Sequence, residues 1–240
     1  MILSQQSHLL RQYDQDIEEL KHLLISMGDL VVDQIDDASR AFKTNDIDLA
    51  QSVCDRDAAI NALEVAIDRA CTLLIAKHQP RASDLRLVFG ISKMATDFER
   101  MGDQARSIAR VSRSDLPEDL IEQLSSTNII ENSRKVVNLA LLALKNLSET
   151  AAVNTLRADG DVDKSYADGF KILSKFLKDH PEHIEPAMSC LSLIHAYERL
   201  GDHATNIGEH IIFILDGEDI RHLRLDALPE NLQNLIPEEE

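Results

Sequence analysis

A seven-residue segment occurs twice in this chain. Glu99-Arg100-Met101-Gly102-Asp103-Gln104-Ala105 recurs 99 residues later as Glu198-Arg199-Leu200-Gly201-Asp202-His203-Ala204. A second match accompanies it: Asp57-Ala58-Ala59-Ile60-Asn61 lines up with Asp159-Gly160-Asp161-Val162-Asp163. In a chain of 240 residues, a spacing close to half the length restricts the fold to two copies of one unit.

The periodicity says what that unit is. Leu20, Leu23, Leu24, Met27, Leu30, Val31, Ile35 and Ala38 recur at three and four, as on one face of a helix. Thr44-Asn45-Asp46 interrupts the pattern and offers a cap to a second helix carrying Leu49, Val53, Ile60, Leu63, Ile67, Cys71 and Leu74. His78-Gln79-Pro80 ends it. Ser83 is placed to cap a third helix, with Leu87, Ile91, Met94, Phe98, Met101, Ala105 and Ile108. After a polar stretch containing Pro117, the order repeats. Val136, Val137, Ala140, Leu144 and Leu147 mark a fourth helix, and Leu156, Tyr166, Phe170, Leu173 and Leu177 a fifth. Following a break at Lys178-Asp179-His180-Pro181-Glu182, a sixth carries Leu191, Ile194, Tyr197, Leu200, Ala204, Ile207 and Ile211, ending at Asp216-Gly217. The expected fold is all-α, two tandem three-helix bundles related by internal duplication. The expected division is a first repeat over 1–112, a linker over 113–125, a second repeat over 126–217 and a loosely held polar tail over 218–240, ending in three glutamates.

Composition agrees and narrows function. Eight glycines, six prolines, no tryptophan and 4% aromatics disfavour a sheet protein, while 44% hydrophobic residues are ample for a core. With 25 basic and 42 acidic side chains the net charge is −17, which argues against general nucleic-acid binding and against charge-driven attachment to anionic membranes. The stretch Val136–Leu144, broken by Asn138 and followed by Lys145, is too short to span a bilayer, and the N-terminus has no leader-like pattern. Three cysteines without a CxxC spacing read as reduced, packed thiols. A cytoplasmic protein is expected.

The chemistry-bearing residues are acids in unexpected places. Leu156, Asp159, Asp163, Tyr166, Phe170, Leu173 and Leu177 follow a strict three-four spacing, which puts two carboxylates on the stripe expected to face inward. The second helix holds a weaker copy with Asp57 and Glu64 among Val53, Ile60, Ile67, Cys71 and Leu74. Buried carboxylates need pairing or a cation. On the sixth helix His195, Glu198, Asp202, Asn206 and Glu209 share a stripe. If the fifth and sixth helices are neighbours, Asp159, Asp163, Glu198 and Asp202 converge. Oxygen ligands suit Mg, Mn, Ca or Fe, and histidines admit Fe or Zn. The competing readings are a solvated acidic face and a capping role for Asp159 at a helix start. Nucleophile and phosphate-loop motifs are absent. The one Glu-x-x-His spacing, Glu19 to His22, is too little for a di-iron oxidase.

These residues also carry a resemblance. Gln79-Pro80-Arg81-Ala82-Ser83-Asp84-Leu85-Arg86, Asp97-Phe98-Glu99-Arg100-Met101-Gly102-Asp103 and Glu198 through Glu209 resemble the bacterial PhoU family of phosphate-transport regulators. The resemblance implies paired acidic motifs that bind metal ions such as Fe, Zn, Mn or Mg. Here the pairs are Asp57 with Asn61, Glu99 with Asp103, Asp159 with Asp163, and Glu198 with Asp202. Asn61 departs from the acidic pattern and weakens the first site. By the same resemblance the protein is a non-catalytic, dimeric negative regulator of the phosphate-starvation response. It would link the ATPase subunit of a phosphate ABC transporter to a sensor histidine kinase, meeting the membrane only through those partners. The alternative is a metal-dependent enzyme, a phosphohydrolase or oxidase, built on the same carboxylates.

Overall fold

The computed structural model describes residues 2–112 and 116–235, with side chains from residue 12 onward. The terminal glutamates and the start of the expected linker lie outside the described residues. Three long helices come first: α1 (Ile2–Thr44), α2 (Ile47–His78) and α3 (Ser83–Val111). A short α4 (Glu118–Ser125) leads to a second set, α5 (Ile129–Asn146), α6 (Glu149–Asp179) and α7 (Ile184–Asp216). A small α8 (Glu230–Gln233) follows, and the described residues contain no strand. The all-α architecture expected from periodicity is what forms.

Local chemistry sets the ends. Asp46 caps α2 by accepting from the Leu49 N–H at 2.9 Å, as its position suggests. Gln79 closes α2 in the left-handed region, and Gly217 does the same for α7 at φ 80°. Ser83 is not a cap. It is the first helical residue of α3, and the capping position falls on Ala82, which has no side chain to bond with. Ser148 caps α6, so this helix begins ten residues before Asp159. Asp159 is therefore mid-helix, and the capping role considered for it is excluded.

Each set of three helices packs on itself, and the sets join through α3 against α7 and α1 against α5. The centre is thus four helices, with α2 flanking α1 and α3 on one side, and α6 flanking α5 and α7 on the other. Close approach at the centre relies on glycine. A Cβ on Gly90 of α3 would stand 2.6 Å from Ile214 Cδ1 of α7, and one on Gly28 of α1 would stand 2.8 Å from Leu141 Cδ1 of α5. Two polar links fix the register of the halves. The buried Tyr197 hydroxyl donates to Ser39 Oγ at 2.9 Å. The buried Asp97 carboxylate of α3 accepts from Asn206 Nδ2 at 3.0 Å and faces His203 Nδ1 at 3.0 Å and His210 Nε2 at 3.3 Å, all on α7.

Two regions differ from the sequence expectation. Leu173 is buried as expected, but up to residue 169 the buried stripe of α6 is mostly small residues, including Ala151, Thr155, Ala158, Val162, Ser165 and Gly169, while Phe170 is 51% exposed. Leu156, Tyr166 and Leu177 are only half-buried, at the edge of the seam, because small side chains let α6 approach more closely. The tail is also not loose up to residue 235, since Ile220, Leu228 and Leu232 are buried.

Burial alone would raise the Asp97 pKa, but the bonds from His203, His210 and Asn206 outweigh it and hold the carboxyl below its usual value. Its contribution is present above the unfolded carboxylate range and is lost as pH falls through the depressed folded value. Asp97→Ala is expected to cost about 3 kcal/mol in urea unfolding at neutral pH, and the cost should shrink on acidification. A loss that does not change with pH would contradict this account of the link.

Candidate metal centre

The duplication produces two acidic seams on opposite flanks. One lies between α2 and α3, the other between α6 and α7. Helix spacing places Asp159 and Asp163 one turn apart on α6, and Glu198 and Asp202 one turn apart on α7.

The α6–α7 seam brings these four together. Asp159 is half-buried, and burial is the largest cause pushing its pKa up to about 7. The charges of Asp163, Asp202 and Glu198 add to that, and the Thr205 hydroxyl opposes it only weakly. No basic side chain is among these main influences. Glu198 is raised first by burial and then by Asp202 and Asp163, with His195 and Arg199 pulling back. Its Oε2 is buried without a hydrogen-bond partner, His195 Nδ1 being 3.6 Å away. Gly201 makes the approach possible, because a Cβ there would sit 2.5 Å from Asp159 Oδ1. Asp163 and Asp202 are exposed at the rim, so the inward placement expected for Asp163 does not hold.

The α2–α3 seam has the same plan with a different content. Asp57 is 3% exposed, and Glu99, Asp103 and Glu64 are half-buried around it. Burial raises Glu99, and Asp103, Glu64 and Asp57 add to it against Arg100. Burial likewise raises Asp57, but here Arg106 opposes it. The Arg106 guanidinium is 3.0 Å from Asp57 Oδ2 and 2.6 Å from Asp103 Oδ1. Asp57 Oδ1, Asn61 Oδ1 and Arg106 Nε remain buried without partners.

The two seams differ as cation sites. Each seam holds a buried carboxylate oxygen without a partner, Asp57 Oδ1 in the first and Glu198 Oε2 in the second. In the second, however, the oxygen donors surround Asp159 with no basic side chain among its main influences, and the missing side chain at Gly201 lets Asp159 in. These features suit a hard cation. The first does not suit one, because a guanidinium already stands between Asp57 and Asp103. As the side chains are placed, no group of three His, Cys, Asp or Glu among the described residues encloses an ion. Closing the second site requires the exposed Asp163 and Asp202 to swing inward.

Sequence reasoning missed Arg106 and Asp97. Arg106 was within reach: the repeat match stops at Ala105 and Ala204, and the next position pairs Arg106 with Thr205. Asp97 aligns with Ala196, so the repeat gave no signal there. Asn206 leaves the expected acidic stripe to bond Asp97.

Comparison with known sequences and structures now adds to the geometry. The PhoU domain matches residues 24–112 and 127–211, one copy over each set of three helices. The chain belongs to the PhoU family. It is 33% identical over 232 residues to the phosphate-specific transport system accessory protein PhoU homolog of Pseudomonas aeruginosa, covering 95% of each chain. It is 34% identical over 233 residues to the Escherichia coli phosphate-specific transport system accessory protein PhoU, covering 96% of each. The crystal structure of PhoU from Pseudomonas aeruginosa superposes with a TM-score of 0.79 at 32% identity, over 86% of this chain and 100% of that one. The phosphate transport system regulatory protein PhoU of Streptococcus pneumoniae gives 0.78 at 29% identity, over 86% and 98%.

The raised Asp159 pKa fixes a pH dependence for the protein stripped of metal. A carboxyl that holds its proton more tightly when folded loses stability as pH rises from about 4, the unfolded value, to about 7. Asp159→Asn should therefore raise the melting temperature of chelator-treated protein near pH 8, with the gain fading towards pH 4. An equal gain at both ends would mean that Asp159 is not a repelled, half-buried acid.

Proposed function

We propose that this PhoU-family chain is a cytoplasmic negative regulator of the phosphate-starvation response and of phosphate uptake. It acts as a homodimeric adaptor between the ATPase subunit of a phosphate ABC transporter and a sensor histidine kinase. The observation that carries the reading is the near-full-length match to phosphate-transport accessory proteins, with both repeats kept. No helix among the described residues is long and apolar enough to cross a membrane, which suits contact with the membrane through partners. The relatives' accessory-protein names favour a non-catalytic role over the metal-dependent enzyme.

The physical basis is surface charge and the acids of the second seam. A −17 surface recognises basic patches on a partner and disfavours acidic ones. An adaptor reports transporter state only if it binds two transporter conformations with different affinities. In the second seam, Asp159, Asp163, Glu198 and Asp202 would hold a divalent or trivalent cation, with Fe, Zn, Mn and Mg the candidates. The cation would supply positive charge that relieves the repulsion among these acids. The chain's own residues do the positioning: Gly201 admits Asp159, and Glu198 presents its unpaired oxygen.

The regulatory reading is tested in cells. Deleting the gene should switch on a secreted alkaline phosphatase reporter in phosphate-rich medium, and the intact gene should silence it. A reporter that stays low in the deletion strain would overturn the reading. The site is tested on purified protein. Asp159→Ala and Glu198→Ala should each reduce bound Mn2+ several-fold, and together no further than either alone, because they share a site. Independent, multiplying losses would mean that the two acids do not meet at one ion.

A further inference from the structure

The duplicated seams place different residues one turn beyond the shared acids. On α3, Asp103 is followed by Arg106 and then Arg110; at the matching positions of α7, Asp202 is followed by Thr205 and then Glu209. Both arginines act on Asp57, Arg106 more strongly than Arg110. On α7 the equivalent positions bring a hydroxyl and another acid. The other arginine of the segment does not distinguish the seams, since Arg100 and Arg199 are matched in the two repeats and both are exposed.

The geometry of Arg106 is that of a counter-ion. It reaches across the seam from α3 to Asp57 on α2, and along its own helix to Asp103, at 3.0 and 2.6 Å. A guanidinium is planar, permanently charged and able to face two carboxylates at once. It therefore bridges the two helices in the way a cation would. Asn61, where the second repeat has Asp163, removes one further negative charge, so the first seam needs less compensation. A guanidinium and a divalent cation repel each other, and both cannot occupy the space between Asp57 and Asp103.

We propose that Arg106 is a built-in cation that replaces metal in the first repeat, leaving the second repeat as the metal-dependent half of the molecule. The inference rests on the metal reading of the α6–α7 seam for its second half only. It predicts that the choice between internal and external cation turns on the aligned pair Arg106 and Thr205, with Asn61 against Asp163 setting how much charge is left to meet.

The test exchanges those residues. Metal-stripped wild type, Arg106→Thr and Thr205→Arg are equilibrated with Mn2+, and retained metal is measured by elemental analysis after gel filtration. Arg106→Thr should retain one more Mn2+ per chain than wild type, and a further Asp57→Asn should remove the increment. Thr205→Arg should lose the wild-type metal. An unchanged metal content in Arg106→Thr, with wild-type metal still removed by Asp202→Asn, overturns the Arg106 assignment and leaves the second site standing. A wild type without Mn2+ whose Arg106→Thr variant takes it up keeps the assignment and overturns the second site. No uptake by either overturns both. If Arg106→Thr does not fold, Arg106→Gln and Asp57→Asn in a double-mutant cycle decide: the unfolding constant should show at least a several-fold coupling, and additive effects would overturn the pairing.

Discussion

An ionised carboxylate inside a helix bundle costs several kcal/mol unless a counter-charge or hydrogen bonds replace its water. Three acids on one repeating helix plan meet this constraint in three ways. Asp97, between the halves, is surrounded by donors from α7 and is held ionised. Asp57, in the first seam, faces an arginine from the neighbouring helix. Asp159, in the second seam, faces three more acids and is pushed towards protonation. The first arrangement joins the repeats, the second closes one flank, and the third leaves the other flank dependent on a proton or a cation from outside.

Most of the fold could be read from the chain because the signals are local. The core positions of α2 and α3 sit where three-four periodicity puts them: Val53, Ile60, Ile67, Cys71, Ile91, Met94, Phe98 and Met101 are all buried. The doubled segment around Glu99 and Glu198 located both seams. The reading held at Leu173 but failed over the middle of α6, because apolar size is a poor guide where glycine, alanine and serine make the tightest contact. There Phe170 is exposed and Gly169 is buried. It failed also at Ser83, where a good capping residue falls one position inside the helix. Ile220, Leu228 and Leu232 were too sparse among polar residues to reveal that the tail packs down.

The site was legible as a set of acids, and Asn61 already marked the first seam as the weaker cation site, but the arginine that sets the two seams apart was not legible. Asp159, Asp163, Glu198 and Asp202 follow from helix spacing once α6 and α7 are neighbours. That Asp57 and Asp103 share a guanidinium depends on a rotamer crossing from α3 to α2, which no single-helix pattern encodes. The glycines belong to the same logic. Gly201 would place a Cβ 2.5 Å from Asp159 Oδ1, whereas Gly102 would place one 3.6 Å from Asp57 Oδ1, so the second seam is the tighter of the two. Two halves with one backbone plan thus differ in how their acids are met: Arg106 pairs with Asp57 and Asp103 in the first seam, and no basic side chain does the same for Asp159 in the second.

The most direct measurement is a crystal structure of the protein grown with Mn2+, with the ion located by its anomalous scattering. The account predicts density between α6 and α7, among Asp159, Asp163, Glu198 and Asp202, and none between α2 and α3. Density beside Asp57 and Asp103 with Arg106 displaced, or no ion in the second seam at saturating Mn2+, would contradict it.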